Sequence, residues 1–146
     1  MTQRIDIASV VPDGYRKVIN LDGYTAQHVE APLGDLIKLR ASQINGCTFC
    51  VDMHSVDLQA AGFPVRKVFS LITWRESDWF TPRERVAQEL TEAVTLIHQG
   101  GVSDELYAKA LAEFGEAGLA DLILAIATIN VWNRIAIPTH QKPPAL

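Results

Sequence analysis

Only two cysteines occur in the 146 residues of this chain. A small secreted domain stapled by disulfides carries more, spaced farther apart, and a chain this long buries enough surface to fold without them. Positive charge is also scarce. Thirteen basic residues face 17 acidic ones, a formal net charge of -4, and no stretch of the sequence concentrates the basic ones. This argues against a protein that binds nucleic acid or an anionic membrane. The start, Met1-Thr2-Gln3-Arg4-Ile5-Asp6, has no apolar run of signal-peptide length. The longest greasy region, Leu119 to Ile137, is interrupted by Asp121, Asn130, Asn133 and Arg134. A bilayer would have to accommodate those groups, so the region reads as a core helix of a soluble protein, with the cytoplasm as the expected compartment. Also missing are a glycine-rich phosphate loop, a dinucleotide fingerprint, a tandem repeat and any run of period-two alternation.

What the chain does have is apolar residues at helical spacing. Hydrophobic residues make up 48% and charged residues 21%, which excludes a disordered or acidic-tail protein. The expectation is one all-α domain spanning residues 1–146. Residues 1 to about 23 read as an irregular arm, because Val10-Val11-Pro12-Asp13-Gly14 and Asp22-Gly23 are turn material. A first helix is expected around Thr25 to Val29, interrupted at Pro32. Leu33, Leu36, Ile37, Arg40, Ala41 and Ile44 then recur at three- and four-residue steps, and Asn45-Gly46 ends that helix. Another begins near Cys47 or Thr48 and closes at Gly62, and Pro64 to Ile72 forms a short one. Thr81-Pro82-Arg83-Glu84 is a capping box with proline at the first helical position, predicting a helix to about His98. Ser103 caps a helix through about Phe114, and the last helix runs from Leu119 to Ile137. Residues 139–146, with Pro143-Pro144, read as a loose tail. The last helix is apolar nearly all round, which in a domain this small predicts burial by a neighbour and hence an oligomer.

The chemistry concentrates in Cys47-Thr48-Phe49-Cys50-Val51-Asp52-Met53-His54. On a helix, positions 47, 50 and 54 fall near one face. Unpaired backbone donors at a helix start stabilise a thiolate. Cys50 and His54 are one turn apart, so the imidazole can take or return a thiol proton. Two thiols at this spacing can close reversibly to a disulfide. Plainer readings use the same residues. A zinc site could draw a further ligand from His28, His98, His140 or a carboxylate, since no second cysteine pair exists. The thiols could be core filler, or redox-competent yet unused. A carboxylate could orient His54: Asp35, brought back by the turn at Asn45-Gly46, with Asp52 and Asp57 as alternatives. Trp74 and Trp79 read as hydrophobic plugs before pocket walls, and Asn130, Asn133 and Arg134 as groups needing partners if buried.

The stretch Leu36-Ile37-Lys38-Leu39-Arg40-Ala41-Ser42-Gln43-Ile44-Asn45-Gly46-Cys47-Thr48-Phe49-Cys50-Val51-Asp52-Met53-His54, continuing through Ala61-Gly62, resembles the alkylhydroperoxidase AhpD-like proteins of the carboxymuconolactone decarboxylase superfamily. Thr73-Trp74-Arg75-Glu76-Ser77 and Asn130-Val131-Trp132-Asn133-Arg134 resemble features of one branch. The resemblance implies a compact helical domain assembling as a trimer or hexamer, and a peroxidase that reduces hydroperoxides or passes electrons to a peroxiredoxin. It implies Cys50 as the peroxide-attacking thiol, Cys47 as the resolving thiol and His54 as the proton relay. The family's relay has a glutamate twelve residues before the first cysteine, where this chain has Asp35. Better-known members carry a histidine between the cysteines, where this chain has Phe49. No bound cofactor is implied; electrons would come from an external dithiol, a lipoyl group or a partner protein. Two alternatives remain at this point: a non-redox enzyme of the lactone-processing branch, and a dithiol sensor or interaction protein without turnover.

Overall fold

The structure is a computed structural model that describes residues 2–145. It is all-helical among the described residues: α1 (Ile7–Val10), α2 (Pro12–His28), α3 (Leu33–Asn45), α4 (Thr48–Ala60), α5 (Val65–Ser70), α6 (Pro82–Thr95) and α7 (Asp104–Thr139), with 3-10 turns at Leu71–Glu76 and Ile97–Gln99. Helix α3 is the hub. Its Leu33 and Ile37 pack with Val86, Leu90, Leu122 and Ile126 of α6 and α7. Its Leu36 and Leu39 join Leu58, Leu71, Trp74 and Phe80. Farther along, Ala41 meets both cysteines, Ile129 and Ala136. The three- and four-residue steps thus serve three neighbours, because leucines one residue apart in phase point to different sides of a helix.

The capping box forms as expected: Glu84 N–H donates to Thr81 Oγ1 at 3.2 Å, and Thr81 N–H donates to Glu84 Oε2 at 2.7 Å. Helix α6 stops at Thr95, short of the expected His98, because Leu96 leaves helical geometry at φ -97°, ψ 39°. The two helices expected on either side of Gly115 and Gly118 are joined end to end. The break is a single residue, Gly115 at φ 70°, ψ 173°, a backbone state open to glycine. Helix α7 also runs past Pro138 to Thr139 and closes on His140 in the left-handed region.

The N-terminal segment departs most from expectation. Residues 12–28, most of them assigned to an irregular arm, form the 17-residue helix α2. Pro12 occupies its first turn, where no N–H is needed, and Asp13 sits beside the positive helix end. A Cβ at Gly14 or Gly23 would meet nothing within 4 Å, so neither glycine marks a close approach. Each costs about 1 kcal/mol of helix propensity, which packing against α7 offsets: Tyr15 meets Trp132 edge-on at 5.2 Å, and Tyr24 donates to Asp121 at 2.9 Å. The chain ends also meet. Arg4 N–H donates to the Thr139 carbonyl at 2.9 Å and Gln141 N–H to the Ala136 carbonyl at 3.0 Å, tying down the start of the segment expected to be loose.

Candidate active site

The turn between α3 and α4 sets up the site. Gly46, at φ 73°, closes α3 in the left-handed conformation that Asn45-Gly46 suggests. The next residue, Cys47, is the N-cap of α4, and its Sγ accepts from Cys50 N–H at 3.4 Å. A partly buried amide network holds this turn against α7. Asn45 Nδ2 donates to Asn130 Oδ1 at 2.9 Å and Asn133 Oδ1 at 2.8 Å, and Asn133 Nδ2 donates to Ser42 Oγ at 3.0 Å. Arg134 donates to Asn130 Oδ1 at 2.8 Å. Asn133, fully buried on α7, therefore has the partners that its burial demands.

Cys47 and Cys50 are joined as a disulfide, with Cα atoms 5.4 Å apart. Their residues are 1% and 2% exposed, enclosed by Ala41, Ile129, Ala136, Phe49 and Trp132. His54 is 4% exposed. Its Nδ1 lies 3.3 Å from Asp35 Oδ1 and 3.8 Å from Asp57 Oδ2. A carboxylate only accepts, so the ring proton belongs on Nδ1, pointing to Asp35. That leaves Nε2 as the free lone pair, and Nε2 is buried without a hydrogen-bond partner. Cys50 and His54 line one cavity of about 240 Å³, with Tyr15, Ile19, Asp22, Phe49, Met53 and Trp132 among its other walls. The cavity is mainly apolar, and Cys50 and His54 bring a sulfur and an imidazole to its wall.

All four expected site residues are thus placed. Asp35 and His54 are at hydrogen-bonding distance, Asp57 stands beside them, and Cys47 is bonded to Cys50. No hydrogen bond joins Cys50 to His54 among the described residues; they share the cavity wall. Among the described residues, the side chains gathered closely enough for a metal are Asp35, His54 and Asp57, within 4.8 Å of one another, and neither sulfur belongs to that group. His28, His98 and His140 are not part of it. Trp74 is buried with its Nε1 donating to Glu92 at 2.8 Å, while Trp79 is half exposed with Arg66 over its ring. Neither lines the Cys50 cavity. Tyr15, Ile19 and Asp22 reach the cavity wall because the segment expected to be an irregular arm is helix α2. Their spacing of four and three residues was the signal available.

Residues 12–93 match the carboxymuconolactone decarboxylase family. This chain belongs to that family. It is 39% identical over 143 residues to the uncharacterized protein YdfG of Bacillus subtilis (strain 168), covering 97% of each. It is 30% identical over 99 residues to the uncharacterized protein YnjA of Escherichia coli (strain K12), 68% of this chain and 54% of that one. In three dimensions it superposes on a protein of unknown function from Agrobacterium tumefaciens, provisionally assigned to antioxidant defence as AhpD. The TM-score is 0.95 at 35% identity, over 99% of this chain and 100% of that one. An uncharacterized peroxidase-related protein from Silicibacter sp. TM1040 shares the fold at 17% identity and TM-score 0.78, over 91% of this chain and 70% of that one. The family member is therefore of the AhpD-like kind, and an AhpD-like fold bearing a Cys-x-x-Cys pair is consistent with thiol-based peroxidase chemistry.

Proposed function

We propose that this protein is a thiol peroxidase that reduces hydroperoxides through a dithiol–disulfide cycle at Cys47 and Cys50. One observation carries the reading: the two cysteines are close enough to bond, and one of them shares a cavity wall with His54, whose Nε2 has no hydrogen-bond partner. In the reduced protein, His54 Nε2 takes the Cys50 proton while Asp35 holds the ring through Nδ1. The Cys50 thiolate attacks the distal oxygen of the hydroperoxide, the O–O bond breaks, and the imidazolium returns its proton to the departing alkoxide. The products are an alcohol and Cys50 sulfenic acid. The Cys47 thiol then displaces water from that sulfur and closes the disulfide. Overall, one hydroperoxide and two thiols give one alcohol, one water and one disulfide. An external dithiol, lipoyl group or partner protein restores the thiols, and a peroxiredoxin is a further candidate electron acceptor.

The lactone-processing chemistry of the wider superfamily gives a paired cysteine nothing to do, so the disulfide favours the redox reading. Cytoplasmic location suits a bond that is made and broken in each cycle. Exposed Leu124 and Val131 lie two helical turns apart on α7, an apolar strip that supports assembly as a trimer or hexamer. The test of the function is hydroperoxide consumption with a dithiol reductant in excess. Wild type should turn over many times and Cys50→Ser should fall to the uncatalysed background. A Cys50→Ser protein with full activity would falsify the scheme.

A further inference from the structure

The disulfide stands between two cavities. Cys50 lines the one of about 240 Å³ with His54 and Asp22. Cys47 lines a second, of about 250 Å³, with Thr48, Ile137, His140 and Lys142. Phe49, Ala136 and Gln141 contribute to both, as the partition between them. Cys47 is not part of the first wall, nor Cys50 of the second. The two also differ in charge. The Cys50 cavity includes the Asp22 carboxylate, which is paired with Lys38 Nζ at 2.8 Å, and has Asp35 and Asp57 behind His54. The Cys47 cavity has the exposed Lys142 ammonium and no carboxylate.

We propose that the Cys47 cavity is the entry for a dithiol reductant, separate from the Cys50 cavity that receives the hydroperoxide. This inference rests on the peroxidase reading of the pair. Thiol–disulfide exchange needs an anionic sulfur to attack one disulfide sulfur from the side opposite its partner. From the second cavity that target is Cys47 Sγ, and Lys142 favours the incoming thiolate. The donor's sulfur bonds to Cys47, the Cys47–Cys50 bond breaks, and its electron pair leaves on Cys50. Cys50 is thereby released as a thiolate into the cavity where the hydroperoxide binds. The donor's second thiolate then attacks its own first sulfur and expels Cys47, whose thiolate keeps the hydrogen bond from Cys50 N–H seen in the disulfide form. The donor loses two electrons and two protons, and both cysteines end reduced. A neutral hydroperoxide, by contrast, gains nothing from Lys142 and enters the side where Cys50 and His54 share the wall.

The test separates the two half-reactions. Oxidised protein is mixed with dithiothreitol and its disulfide reduction is timed. Reduced protein is mixed with cumene hydroperoxide and its thiol loss is timed. Lys142→Glu and Ile137→Trp should each slow dithiothreitol reduction about tenfold, a steering-sized effect, and leave thiol loss within about twofold. Ile19→Trp, on the Cys50 side, should do the reverse. Ile19 and Ile137 are 49% and 41% exposed, and Lys142 lies outside any helix, so the three changes avoid the core; circular dichroism checks the fold. The two-entry arrangement is overturned if Ile19→Trp alone slows reduction, if all three slow both steps alike, or if none changes either rate. If hydroperoxide fails to oxidise wild type, the peroxidase reading falls, yet the dithiothreitol arm still reports which side admits the reductant.

Discussion

At the residue scale the decisive group is His54. A buried nitrogen without a hydrogen bond costs about 1–3 kcal/mol, and Nε2 of His54 bears that cost in the disulfide form. The cost is recovered when a thiol proton or a substrate oxygen arrives, which ties the ring to the reduced or substrate-bound protein. Asp35 fixes the tautomer that points the lone pair inward. Asp35→Asn should lower kcat/KM for hydroperoxide about 10–100-fold near pH 7, with part of the loss recovered at higher pH, where Cys50 ionises unaided. An Asp35→Asn rate equal to wild type across that range would remove Asp35 from the relay and leave Asp57 as the orienting acid. Three residues of the site, Cys47, Cys50 and His54, were legible from spacing because they and the Asn45-Gly46 turn lie within ten residues, where helical geometry alone predicts proximity. Asp35 was legible only as a candidate: its approach to His54 depends on how tightly α3 folds back on α4, which no local pattern encodes.

At the scale of elements, the site depends on where α3 is held. Glu92 on α6 is the clamp. It accepts from Arg40 of α3 at 2.7 Å and 2.9 Å, from Trp74 at 2.8 Å, and from Arg75. Burial pushes the Glu92 carboxyl up, but the donors from Trp74, Arg75 and Arg40 outweigh it and hold the pKa below the ordinary 4.5. The folded state therefore favours the ionised form. Its contribution is complete above pH 4.5 and is lost as pH falls through the lower folded-state value. In urea denaturation, Glu92→Gln should cost about 2 kcal/mol at pH 7, and the gap should narrow steadily below pH 4.5. A gap that stays constant to pH 3 would show that packing around Glu92, not its charge, is what matters. Helix boundaries were legible where capping chemistry is local, as at Thr81 and Gly46. They were not at α2, where Pro-Asp-Gly and Asp-Gly read as turns until the long-range contacts of Tyr15 and Tyr24 with α7 are known.

At the scale of the molecule, α7 is long and apolar enough to cross a membrane, yet only 33% of its most hydrophobic window is buried within one chain. Leu124 and Val131 face outward. The surface around Phe69 and Ile72 is also apolar and exposed. Copies of the same chain are the simplest cover for such faces. Sedimentation at micromolar concentration should give three or six times the 16.1 kDa subunit mass, and Leu124→Glu should shift it toward the monomer. A wild-type protein that sediments as a monomer at all concentrations would rule the assembly out. The all-round apolar pattern of α7 raises the expectation of an oligomer but not of its symmetry, because one chain does not encode which exposed faces meet.

The catalytic cycle is tested most directly by a thiol balance in a single tube. Fully reduced protein receives one equivalent of cumene hydroperoxide, the alcohol product is counted, and mass mapping locates the bond formed. One alcohol, two thiols lost and a Cys47–Cys50 peptide link per chain is the expected result. Thiols that stay free while peroxide is consumed, or a disulfide that forms without alcohol, would contradict it.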